Sequence, residues 1–191
     1  MAYEFTGLFI LLCFAVAIVY FLISAFSTKR TVVKGGVEWY WRILIIVVLV
    51  GVAYFFPLIR ARPIISVEST SLLVGVIADV LTLAGLFVVL WARKTLGSNW
   101  SPLVVIKEKH ELITSGPYAY VRHPIYSGIL LMALGAILWV ESPPLLIIFI
   151  VSAFGFWFKA TREEKLLTEH FPKEYPEYKK KVRSALIPFV L

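Results

Sequence analysis

Apolar residues in this chain run in long blocks separated by short polar stretches. Five blocks qualify as membrane spans, at residues 5–26, 43–59, 72–92, 125–140 and 145–158. Crossing a bilayer takes about 20 apolar residues in a helix, and the first three blocks are clear on that measure. The last two are short. They are separated by Ser142-Pro143-Pro144, which forbids one straight helix because a proline ring removes a backbone donor and clashes with the preceding turn. A hairpin of two closely packed helices is the expected solution. Beyond it, Lys159, Glu163, Leu166, Leu167 and His170 recur at helical spacing, so a helix continues past the membrane surface until Pro172 and Pro176 break it. The expected fold is all-α: a polytopic membrane protein of about five transmembrane helices, the last two forming a hairpin, with a C-terminal helical tail. The first block has no basic region before it and is read as a retained anchor.

Composition strengthens this picture. The chain is 191 residues long and 60% hydrophobic, with a mean hydropathy of +0.85, more apolar surface than a soluble core of this size could bury. With no repeat or low-complexity run, residues 1–191 read as a single integral-membrane domain. A net charge of +7 raises nucleic acid as a partner, but the cations are divided among loops: four before the second span, two before the third, five before the fourth, none at the proline turn and eight after Phe158. That alternation is the positive-inside pattern. It places the N-terminus outside, with residues 93–123 and the tail in the cytoplasm, and leaves membrane lipids, not nucleic acid, as partners. Cys13 is the single cysteine, so no disulfide framework exists.

Two polar stretches remain where chemistry could reside, residues 112–128 and 159–170, and the hairpin returns the chain so that both lie at one membrane face. Arg122-His123-Pro124 stands just before a span, with Pro124 near its first turn and free backbone donors beside it. Equally, Arg122 reads as an interfacial anchor and Tyr118, Tyr120 and Tyr126 as members of an aromatic belt, with Trp39, Tyr40, Trp41, Trp100 and Trp139. Glu163 and Glu164 point about 100 degrees apart on a helix, so at most one faces a pocket. Glu163 pairs by spacing with Lys159, as a solvated ion pair or as a charged group that orients a reactant. No dinucleotide fingerprint, phosphate loop, zinc motif or nucleophile elbow occurs. His110, His123 and His170 are not spaced as a metal ligand set, and no metal is expected.

These blocks resemble the isoprenylcysteine carboxyl methyltransferase family, a branch of the integral-membrane methyltransferases that includes phospholipid N-methyltransferases. The resemblance covers roughly the last hundred residues. It rests on the run Gly97 to Trp100, then His110 to Gly116, Tyr118, Arg122 to Tyr126 and Gly128, then Glu163-Glu164, His170-Phe171, Glu174-Tyr175 and Tyr178 to Lys180, up to Pro188. It implies methyl transfer from S-adenosylmethionine, leaving S-adenosylhomocysteine, in a catalytic half at residues 93–191 that follows three N-terminal helices at 1–92. It further implies that His110, Leu112, Pro117, Tyr120, Arg122, His123, Tyr126, His170 and Tyr175 line the cofactor site. Glu163 takes the family's catalytic carboxylate position. One turn earlier the family usually has arginine and this chain has Lys159; Arg162 is the other candidate cation.

A charged, water-borne donor and a lipid-borne acceptor require a site open to both cytosol and bilayer. A carboxylate acceptor is already ionised near neutral pH and needs only a cation to position it; an amine acceptor would need Glu163 as a base. The first reading is methylation of the carboxylate of an isoprenylated cysteine or similar lipid acid, presented as a small molecule or peptide that enters from the bilayer. The membrane is the cell membrane of a prokaryote or one of endoplasmic-reticulum type. Phospholipid or amine N-methylation, an NADPH-dependent sterol-type reductase, and a non-enzymatic scaffold or transporter are the alternatives. Asp79 is the exception in spans almost free of the ionisable residues that transport paths use.

Overall fold

The computed structural model describes residues 2–34, 71–140 and 143–186. The expected second span at 43–59, the belt residues Trp39, Tyr40 and Trp41, the loop cations Arg42, Arg60 and Arg62, Ser142 of the turn and Pro188 lie outside the described residues. Five helices are described: α1 (Ala2–Ala25), α2 (Leu72–Leu96), α3 (Pro124–Val140), α4 (Pro143–His170) and α5 (Glu174–Lys181). Among the described residues three of them are long and apolar enough to cross a membrane, over Phe5–Ala25, Leu72–Asn99 and Leu145–His170. The 17-residue α3 is apolar but shorter. Large side chains such as Leu8, Leu11, Phe87, Ile147, Phe154 and Trp157 stand exposed on α1, α2 and α4, as lipid-facing surfaces do.

The prolines behave as the chain position of each dictates. Pro143 opens α4, where its missing donor costs no helical bond. Pro172 follows the end of α4, but Pro176 does not break the tail: it sits in the first turn of α5, whose amide groups lack intrahelical partners anyway. The expectation of a closely packed α3–α4 pair also needs correction. The main neighbour of α3 is α2, and its contact with α4 is much slighter. Small residues explain the choice, because a Cβ built on Gly85 would lie 2.6 Å from the Gly128 carbonyl oxygen and one on Gly128 would lie 2.7 Å from Val89. With glycine at both positions the two backbones approach where no side chain fits. Cys13 and Ala17 of α1 complete this layer against Leu86, Val89 and Met132.

The loops beyond the spans contain the one departure from an all-helical fold among the described residues. β1 (Thr31–Lys34) pairs antiparallel with β2 (Val105–Lys107), Thr31 facing Lys107 and Lys34 facing Val105. Strands this short carry no readable alternation. Gly97 turns the chain out of α2 with φ of 56°, a conformation glycine adopts without penalty. Beside it, buried Arg93 donates to the Gly97 and Ser24 carbonyls, both at 2.7 Å. One guanidinium thus closes the C-terminal ends of α1 and α2, where helix dipoles favour a cation.

The helix contact at Gly85 yields a direct test. Gly85→Ala is expected to destabilise the protein by about 1–3 kcal/mol through overpacking, read as a lower midpoint of thermal unfolding in detergent. Gly75→Ala, whose Cβ would meet only Thr6 Oγ1 at 3.4 Å, is expected to leave the midpoint unchanged.

Candidate active site

Three chain segments meet at the end of the bundle that carries the loops. α3 begins directly after Arg122-His123, and the His123 carbonyl accepts from the amides of Tyr126 and Ser127 in its first turn. The chain beyond α5 then crosses this start: the Arg122 amide donates to Ser184 O and the His123 amide to Ala185 O, each at 3.0 Å. α4 supplies the third segment, with Lys159 and Glu163 one turn apart on its inner face and Glu164 beside them. Before α3, Gly116 turns with φ of 59° into a 3-10 turn (Gly116–Ala119). A side chain there would press on Thr95 at 3.0 Å.

Both glutamates are engaged. Tyr126 Oη donates to Glu163 Oε1 at 2.7 Å, His123 Nδ1 lies 3.3 Å from Glu163 Oε2, and Lys159 Nζ is 3.9 Å from Glu163 Oε1. Glu164 receives Arg122 Nε at 2.7 Å, Lys179 Nζ at 2.6 Å and His123 Nε2 at 3.3 Å. His123 therefore bridges two carboxylates through its two ring nitrogens. That geometry suits the doubly protonated ring. Burial opposes its charge, but the hydrogen bonds to Glu163 and Glu164 and the charges of both carboxylates together hold His123 above its ordinary value. Its ring stacks on Tyr126 at 5.5 Å, and Tyr126 stacks on Phe156 at 4.9 Å.

This cluster forms one wall of a cavity of about 410 Å³, within the roughly 300–1,000 Å³ typical of small-molecule sites. His110, Leu112, Arg122, His123, Tyr126, Lys159, Glu163 and Tyr175 all line it, so eight of the residues singled out from the sequence share one space. Four do not line it. Arg162 is exposed and stacks over Phe158 at 5.0 Å, Tyr120 is exposed, and Pro117 is buried in the 3-10 turn. His170 is exposed and packs edge-on against His110, 6.4 Å away. Spanning segments contribute an apolar set to the same cavity, including Phe21, Leu96, Ile129 and Phe156.

Several lining residues escaped the sequence reading. Tyr178 lies three positions after Tyr175, a spacing that puts both on one helix face, and its hydroxyl donates to Tyr118 O at 2.7 Å. Tyr118 and Trp100, read there as belt residues, also face the cavity. Glu164 was set aside because adjacent helical residues diverge, and it does lie outside the lining; no sequence signal shows that a second cluster of cations would surround it.

Two polar groups are arranged toward the interior. Tyr175 is 1% exposed and its Oη is buried without a hydrogen-bond partner among the described residues. His110 Nδ1 accepts from the Lys107 amide at 3.3 Å, which leaves the ring proton on Nε2. Burial, then repulsion from His170, Lys29 and Lys107, lowers His110 from 6.5 to about 4, so the ring is neutral near pH 7. An unfolded chain takes up this proton first as pH falls, so stability drains away between 6.5 and about 4. His110→Gln is accordingly expected to lose less of its thermal midpoint across that window than the unaltered protein; an equal loss would place the acid sensitivity elsewhere.

Residues 73–174 match the family described as "Phospholipid methyltransferase". The chain is 35% identical to protein-S-isoprenylcysteine O-methyltransferase of Saccharomyces cerevisiae over 141 residues, covering 72% of this chain and 57% of the relative. It is 32% identical to the enzyme of the same name from Mus musculus over 139 residues, covering 71% and 46%. The solved structure of the eukaryotic intramembrane Ras methyltransferase ICMT (isoprenylcysteine carboxyl methyltransferase) superposes with a TM-score of 0.61 at 25% identity, covering 80% of this chain and 53% of that one. The chain spans about half the length of the relatives it matches.

Proposed function

The chain belongs to the phospholipid methyltransferase family, in its isoprenylcysteine carboxyl methyltransferase branch, and from that premise we propose that it methylates the carboxylate of an isoprenylated cysteine or a similar lipid acid, using S-adenosylmethionine. The observation that carries the choice of acceptor is the state of Glu163. Both its oxygens are taken, one by the Tyr126 hydroxyl and one by His123, with Lys159 close by. With two hydrogen-bonding donors and an ammonium beside it, neither oxygen is free to take a proton from an acceptor. An amine acceptor needs a base; an ionised carboxylate does not.

The cavity fits the donor molecule. Its volume is adequate, Tyr175 offers a hydroxyl with no partner among the described residues, and neutral His110 offers a ring N–H without repelling a cation. Tyr118, Tyr126, Trp100 and Phe156 present aromatic surface, and Glu111 and Glu163 present carboxylates, to a positively charged ligand. When bound, S-adenosylmethionine supplies an electrophilic methyl group on a sulfonium centre.

The residues of the chain supply position and charge. Lys159, buried at the cavity wall, donates to Pro102 O at 2.7 Å and lies 5.1 Å from the Tyr126 ring centre. It presents an ammonium to the acceptor carboxylate, and Glu163 with Tyr126 fixes where that ammonium sits. The apolar surface of Phe21, Leu96, Ile129 and Phe156 accommodates the lipid. No proton needs to move in the transfer. In this arrangement the N-terminus is outside, and the cavity and tail face the cytoplasm, where a water-borne donor is found.

The test is to incubate membranes with methyl-labelled donor and a farnesylated cysteine analogue, then add base. Release of labelled methanol is expected; label that stays bound through base treatment would indicate N-methylation. Calorimetry is expected to detect S-adenosylhomocysteine binding and none of NADPH, the reverse being the signature of a reductase. Lys159→Ala is expected to lower kcat by about 100-fold, as loss of a charge-stabilising donor does, with Arg162→Ala within about threefold of the unaltered rate because its charge is exposed. The opposite ranking would assign Arg162 as the working cation.

A further inference from the structure

Glu164 does not line the cavity, yet it has more charged partners than any other carboxylate among the described residues. It is 8% exposed. Its two oxygens collect Arg122 and His123 from the loop just before α3 and Lys179 from α5. Arg122 extends the network, donating through Nη1 to the carbonyls of Val182 at 2.7 Å and Arg183 at 2.5 Å. Those carbonyls lie just before Ser184 and Ala185, which accept the Arg122 and His123 amides. Glu164 therefore lies between two structures: the tail that places Tyr175 and Tyr178 in the cavity, and the ring that holds Glu163.

We infer that Glu164 is a positioning residue that couples docking of the C-terminal tail to the His123–Glu163 contact in the active site, a role that rests on the methyltransferase reading above. The physical argument is one of compensation. A buried carboxylate persists as a charge only when paired, and Glu164 has three cationic partners, two adjacent in the loop before α3 and one on α5. Separating the tail removes Lys179 and, with the carbonyls of Val182 and Arg183, the acceptors that orient Arg122. Losing those leaves His123 to share its charge between two less compensated glutamates, and Glu163 is the one that touches the cavity. The ring itself acts as a rigid spacer, because stacking on Tyr126 with planes 6° apart fixes its orientation.

The groups that face His123 set the expected pH behaviour. Glu163 and Glu164 of α4 contact its two nitrogens and Tyr126 stacks on it, Arg122 and Lys179 bind the same Glu164, and Lys159, Tyr118, Tyr175 and Tyr178 line the same cavity. Removing the Glu164 charge takes away one of the two carboxylates that hold the ring proton, so the ring loses its proton at lower pH.

The experiment uses the full chain in nanodiscs and compares the unaltered protein with Glu164→Gln and Lys179→Ala. For Glu164→Gln, the alkaline limb of the kcat/KM profile is expected to move to lower pH by about one unit, and S-adenosylhomocysteine binding to weaken roughly tenfold, as loss of hydrogen bonds to a charged group does. A limb and an affinity that both stay put would overturn the inference, since a merely structural glutamate would not move the limb. Lys179 is 42% exposed at its side chain, so its replacement is expected to perturb the fold less than Glu164→Gln. Lys179→Ala is expected to weaken S-adenosylhomocysteine binding about threefold with a more protease-accessible tail, and unchanged binding would overturn the coupling. Failure of the unaltered protein to bind S-adenosylhomocysteine would refute the methyltransferase reading itself, a result distinct from either of these.

Discussion

Two adjacent carboxylates at the loop-bearing end of an apolar helix dominate this protein's architecture. Neither Glu163 nor Glu164 can remain charged beside hydrocarbon without cations and hydrogen-bond donors. Four segments deliver them: Arg122 and His123 from the loop, Tyr126 from α3, Lys159 from α4 itself and Lys179 from α5. Each delivery fixes a piece of backbone, and the cavity is the space enclosed once all are in place. The tail is bound by the same constraint, since its carbonyls complete the shell of Arg122.

Stability and function draw on this arrangement differently. The α2–α3 contact is a matter of close packing between glycines and owes nothing to charge. It sets the two helices as a rigid support at the N-terminal end of α3, where His123 stands. Above that support the interactions are ionic and directional, and they orient side chains within a cavity whose remaining wall is aromatic. In the proposed function this site holds a cationic donor against aromatic faces and carboxylates, while the Lys159 ammonium addresses an anionic acceptor. The proposed carboxyl methylation follows from that division of charge, and family membership agrees with it.

Much of this was legible in the sequence because hydropathy and proline positions obey strong rules. Among the described residues, blocks of apolar residues located α1 to α4, three of them long enough to span, and Pro143 marked the start of α4. The grouping of His110, Arg122, His123, Tyr126, Glu163 and Tyr175 came from motif order and is matched by their common cavity. What stayed hidden depends on three-dimensional neighbours. The α2 partner of α3 is dictated by Gly85 and Gly128 meeting face to face, which no one-dimensional pattern reveals. Pro176 was read as a helix breaker, although in a first turn it breaks nothing. Arg162 and Lys159 were equivalent by composition; only the helix phase puts Lys159 inward and Arg162 over Phe158 at the surface.

The central claim is that His123 and Glu163 act as one unit across the α3–α4 junction, and a double-mutant cycle on kcat/KM measures that directly. His123→Ala combined with Glu163→Gln is predicted to be no slower than the worse single variant, because either change alone already dissolves the pair. A double variant whose loss equals the product of the two single losses would show that the residues work independently and would contradict the account.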